Sequence, residues 1–120
     1  MTSTCPTFVS QSFAVRDAAH MAHLTSRSYA QHMALDEFYT SLTDLIDKYA
    51  EVYMGLEQEI PTYPRIKALD YDDPVELLED YLALTRREMK GDMESQALLN
   101  ILAEIEELTG QTIYKLKFLK

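Results

Sequence analysis

The chain has 120 residues, 47% of them apolar, and a formal charge of −9. That length suits one domain with a real core and is too short for two, and the apolar share excludes disorder as the default state. Three Gly and four Pro are too few for the turn-rich all-β classes, and the charge argues against a nucleic-acid surface, which needs clustered Lys and Arg against phosphate.

Residues 1–12, MTSTCPTFVSQS, show no helical period and are expected to form a flexible arm, leaving 13–120 as a single helical domain. Cys5 is the lone cysteine. It allows no internal disulfide, fits a reducing compartment and is expected to be a spectator thiol. A first helix is expected over 13–26, broken by TSRS. Ser28 then opens a second with a capping box, Ser-Tyr-Ala-Gln, with Gln31 at the third helical position. Leu35, Phe38, Leu42, Leu45, Ile46, Tyr49 and Tyr53 recur at steps of three and four, the period of an amphipathic helix. Gly55 is expected to end that helix in a left-handed conformation.

Pro61 and Pro64 exclude a continuous helix in the following segment. Asp73 and Pro74 mark the start of a third helix, as capping carboxylate and first helical residue, with Val75, Leu78, Leu82, Thr85 and Met89 facing inward. Asp92 is expected to cap a fourth, whose core stripe is Leu98, Ile101, Leu102, Ile105 and Leu108. Gly110 is expected to kink it, and TIYKLKF beyond is the one stretch open to a short strand. Four amphipathic helices with short connections make an all-α, antiparallel four-helix bundle. No apolar run approaches membrane-spanning length and the first residues lack a signal-peptide layout, so a soluble, cytoplasmic protein with no membrane association is expected.

One polar feature stands out on the second helix. His32, Asp36, Asp47 and Glu51 follow at steps of four, eleven and four. At about 100° per residue they fall within about 100° of one another, beside the apolar stripe and not in its centre. Asp17, His20 and His23 share a face of the first helix. Imidazole and carboxylate together suit Fe(II), Mn(II) or Zn(II), and clustered carboxylates repel unless a cation or protons neutralise them. A site on the flank of the core needs a second surface, most simply another subunit. Acidic residues on a helix flank are also ordinary solvated charge, and a surface His is more often hydrogen-bonded than a metal ligand.

These residues resemble the ferroxidase signature of the Dps family, the small ferritin-like proteins of bacteria. That signature is a His on the first long helix, then His-x-x-x-Asp, ten residues, and Asp-x-x-x-Glu. Here His32, Asp36, Asp47 and Glu51 match its spacing, with DKYAE resembling the family's Asp-x-x-Ala-Glu. The first His corresponds to His20 or to His23. The resemblance covers roughly residues 13–55. The helix pair is also similar to that of small phage-encoded proteins carrying HL-T-SYA-H-AL.

The Dps resemblance implies a ferritin-like bundle and an iron site across a two-fold interface of a homo-oligomer, in the family a twelve-subunit shell. His32, Asp36 and one of His20 or His23 would come from one subunit, and Asp47 and Glu51 from its partner. There Fe(II) would be oxidised to Fe(III) by peroxide or dioxygen. No Lys-rich arm is present, so a DNA-binding role is not implied. Two alternatives stand beside this one. In one, a Mn(II) or Zn(II) site serves only to hold a dimer; in the other, the chain is a metal-free acidic interaction protein, phage or bacterial, acting on a protein partner in the host cytoplasm. Leu24 in place of the family's Trp, the short chain and the −9 charge motivate the last.

Overall fold

The computed structural model describes residues 4–92 and 94–120. Four helices form, α1 (Cys5–Thr25), α2 (Tyr29–Glu57), α3 (Pro74–Gly91) and α4 (Gln96–Phe118), and no strand occurs among the described residues. The all-α expectation holds.

The expected arm is instead the start of α1, apart from its first three residues, which lie outside those described. Cys5, Phe8, Val9, Ser12, Val15, Ala19 and Ala22 are all buried, at steps of one, three and four. This stripe is built largely of small residues, so it gives little apolar contrast in sequence while still allowing close helix packing. Pro6 sits in the first turn, where its missing N–H costs nothing.

Ser28 caps α2 as expected, its hydroxyl accepting from the Gln31 N–H at 3.2 Å. The reciprocal half of the box does not form, because the Gln31 side chain accepts from the Ser26 hydroxyl at 2.7 Å. Gly55 does not stop the helix. Gln58 takes the left-handed conformation, with φ 55°, and its N–H returns to the Met54 carbonyl. Asp73 caps α3 by accepting from the Glu76 N–H at 3.1 Å, with Pro74 behind it. The cap of α4 is Ser95, not Asp92, whose carboxylate is engaged elsewhere. Residues 112–118 are helical, and α4 runs through Gly110 without interruption. Burial of Thr109 and Thr112, whose hydroxyls donate to the Ile105 and Leu108 carbonyls, outweighs the weak helix propensity of Gly and Thr there.

α1 packs on α2 and α3, and α4 packs on α2 and α3; across the diagonal, α2 reaches α3 through long side chains, Tyr49 to Glu88 and Phe38 to Tyr81. Contacting helices run antiparallel. Phe8 near the start of α1 meets Tyr49 near the end of α2. Thr4, preceding α1, meets Glu88 near the end of α3. Lys115 and Lys117 near the end of α4 pair with Glu37 on α2 and Glu79 on α3. Two helical hairpins therefore lie side by side, and residues 58–73 cross between them along the length of α3, about 27 Å at 1.5 Å per residue. Tyr63, Ile66 and Tyr71 of this crossing are half-buried. One core joins all four helices, with Leu35, Phe38, Leu42, Tyr49, Leu78, Leu102 and Ile105 wholly inside. Each such side chain contributes about 1.5–3 kcal/mol of burial.

Candidate functional site

Three places on this frame bring chemistry together. The first is the hairpin end, where α1 hands over to α2. His23 and His32 stack with ring centroids 3.7 Å apart. Each ring bonds through Nδ1 to the other's backbone carbonyl, at 2.7 Å and 2.8 Å. A carbonyl only accepts, so both Nδ1 atoms carry hydrogen. The pair clasps the hairpin shut. His20 stacks on Tyr39 at 4.1 Å, and the Tyr39 hydroxyl donates to Asp36 at 3.0 Å. Replacing His23 by Ala removes both a partly buried inter-helix hydrogen bond and a ring contact. An expected loss of about 1–2 kcal/mol is read from the urea midpoint, and no change would mean the clasp carries no stability.

The six residues of the sequence signature therefore separate. His20, His23, His32 and Asp36 share the hairpin end. Asp47 and Glu51 are exposed on α2, in a shallow depression with Val9, Phe13, Met54 and Tyr63. Asp47 lies about 22 Å along the helix from His32. Within one chain, no group of three or more His, Cys, Asp or Glu able to hold a metal ion forms among the described residues.

The second place is at the opposite end and was not anticipated. Glu88 is buried, accepting from the Thr4 hydroxyl at 2.7 Å, and the Tyr49 hydroxyl lies 3.0 Å from its other oxygen. Tyr49 also contacts the Asp92 carboxylate. Burial raises both carboxyls above their ordinary range, and the Asp92 charge adds to the rise at Glu88. A hydroxyl has one hydrogen, so Tyr49 cannot donate to both at once; the pair is satisfied when one carboxyl keeps its own proton. Burial pushes the neighbouring Cys5 thiol up to about 12, with Glu88 and Asp92 adding to the rise against a hydrogen bond from Tyr49. It is thus a thiol, not a nucleophilic thiolate. The signal for Glu88 was present in sequence: it sits at the next step of the inner stripe Leu78, Tyr81, Thr85.

The third is a groove of about 510 Å³ between α1, α3 and the crossing segment. Its floor is Val15, Ile66, Leu69, Leu77 and Leu84, and Asp70, Asp72, Glu76 and Asp80 stand along it. Among the described residues, no Lys or Arg lines it. Asp73, which also borders it, is committed to capping α3.

Fold and surface together define an all-α protein of two helical hairpins with a preformed acidic groove. No helix among the described residues is long and apolar enough to cross a membrane. The chain belongs to the family of unknown function DUF5856, whose profile matches residues 23–116. It is similar to the uncharacterized 14.6 kDa protein in the mobD-ri intergenic region of Enterobacteria phage T4, with 29% identity over 102 residues, covering 83% of this chain and 74% of the relative. No solved structure matches it.

Family membership corrects the Dps resemblance: the chain is a DUF5856 protein with a phage relative, not a member of the Dps or ferritin-like families. Matching steps of four and eleven are what any one helix face yields. The iron expectation came with that resemblance; in this structure the Nδ1 atoms of His23 and His32 are engaged in the hairpin clasp.

Proposed function

We propose that this protein acts by binding another protein, taking a basic amphipathic segment of its partner into the acidic groove. In this reading the two hairpins close an antiparallel four-helix bundle that serves as a rigid scaffold, and the setting is the cytoplasm of an infected bacterial cell, in keeping with the phage relative. The observation that carries the proposal is the groove's composition: an apolar floor flanked by carboxylates, with no cation among its described lining residues. Such a surface pairs poorly with an acidic or purely polar segment and well with one that alternates Leu or Ile with Lys or Arg. The formal charge of −9 steers a basic partner toward it and speeds encounter.

The test uses a fluorescent amphipathic Leu/Lys peptide, with the same peptide carrying Glu for Lys as control. The basic peptide is expected to bind and the acidic one not, with affinity falling as salt rises. The triple variant Asp70→Asn, Asp72→Asn, Asp80→Asn is expected to weaken binding about tenfold or more, since each desolvated charge contact contributes about 0.5–1.5 kcal/mol or more. A matched variant in the turn before α4 and on α4 itself, Glu94→Gln, Glu104→Gln, Glu107→Gln, removes the same number of charges and is expected to bind nearly as well as the unaltered protein. Equal losses in the two variants would reduce the effect to net charge and defeat the proposal.

A further inference from the structure

We infer that residues 114–120 of a second copy fit this same groove, so that the protein pairs with itself and in doing so covers its own binding site. The covering of the site rests on the reading above; the pairing stands on separate observations.

The segment Tyr-Lys-Leu-Lys-Phe-Leu-Lys at 114–120 is the kind of sequence the groove suits. The chain holds 11 Lys and Arg in 120 residues, yet three fall within these seven. Its apolar side chains are not all committed to the core. Phe118 is 70% exposed, and Tyr114 and Leu119 are also exposed. The end of α4 lies against the starts of α2 and α3, with Lys115 paired to Glu37 and Lys117 to Glu79 in exposed ion pairs that another carboxylate can replace. One turn further, Phe118 and Leu119 come level with Met33, which is exposed, as are Tyr29 and Leu24 on the same end. The result is one basic, apolar tip on an otherwise acidic molecule. Exposed apolar surface gathered in this way marks a contact site.

The tip and groove are complementary in both respects, cation to carboxylate and aromatic to apolar floor. The tip packs against the starts of α2 and α3, through Glu37 and Glu79, and neither its own residues nor these two are among those lining the groove between α1, α3 and the crossing segment. A chain therefore presents its tip outward while its groove is open to another copy. In a two-fold pair each copy's tip enters the other's groove, so the contact is made twice and the assembly closes.

Sedimentation velocity tests this with charge-reversed chains. The unaltered protein is expected to shift from monomer to dimer as concentration rises. A groove-reversed chain, Asp72→Lys with Asp80→Lys, is expected to remain monomeric, as is a tip-reversed chain, Lys117→Glu with Lys120→Glu. Mixed in equal amounts they are expected to form a heterodimer, because the acidic tip of one now meets the basic groove of the other; this rescue also excludes misfolding of either. Excess Leu/Lys peptide is expected to dissociate the unaltered dimer. A protein monomeric at every concentration, or reversed chains that pair as well as the original, overturns the inference. Peptide binding to such a monomer leaves the partner-binding proposal intact while removing this one. A rescued dimer that the peptide does not dissociate overturns the covering of the site.

Discussion

Replacing Phe8 by Ala is expected to cost about 3–5 kcal/mol, a large part of the roughly 5–15 kcal/mol that holds a domain together. Phe8 is 1% exposed. Its ring lies parallel to Tyr81 at 5.9 Å and edge-on to Tyr49 at 5.5 Å. Removing it empties the space where α1, α2 and α3 meet and takes two aromatic contacts with it, each contributing about 0.5–1.5 kcal/mol beyond burial. Tyr49 would at the same time lose the wall that holds its hydroxyl toward Glu88. Chemical denaturation reads the change as a lower midpoint, and Tm is expected to fall by about 10 °C or more. A loose arm at residues 5–12 would leave both unchanged, so this substitution discriminates sharply between the two descriptions of that segment.

The second large effect is on pH dependence. Glu88 and Asp92 both have raised pKa values in the folded chain. Above the ordinary carboxyl range, and up to the raised values, the native state binds more protons than the unfolded one. Stability from this pair is therefore fully present below about pH 4 and is lost as pH rises through the raised values. Glu88→Gln keeps an acceptor for Thr4, presents an N–H to the Tyr49 oxygen so that the Tyr49 hydroxyl is left to donate to Asp92, and removes the charge. The variant is expected to melt a few degrees above the original protein at about pH 8, the response of a domain this size to about 1 kcal/mol. The difference should vanish at mildly acid pH. Melting curves across that range decide the matter, and a gap that does not change with pH would mean that no proton is held by the pair.

How much of this was legible depends on what each element is made of. α2 declares itself because large apolar residues mark its period, and α3 because Asp73 and Pro74 mark its start. α1 hides its first turns because Cys5, Ser12 and the alanines that bury it differ little from solvent-facing residues in polarity. α4 reads as interrupted because Gly110, Thr112 and Ile113 are weak helix formers, while tertiary burial decides otherwise. His20, His23 and His32 are close in sequence, and one hairpin brings them together at one end. Asp47 and Glu51 share a helix face with His32 and stand about 22 Å or more along the 29-residue α2 from it, a separation that the expected placement of the two pairs on different subunits already allowed. The groove had no local signature. Its floor and flanks come from α1, the crossing segment and α3, and only the long-range packing of those pieces makes a concavity.

The crossing segment has one more consequence. It forms a wall of the groove, with Ile66, Leu69, Asp70 and Asp72, yet it contributes no helix to the core. The groove thus combines core residues of α1 and α3, Val15, Leu77 and Tyr81, with a segment that lies outside the helical frame. If the groove is the binding surface, substitutions at the exposed positions of this segment, away from the caps Gln58 and Asp73 and the packed Tyr63 and Tyr71, are expected to alter what it accepts at little thermodynamic penalty.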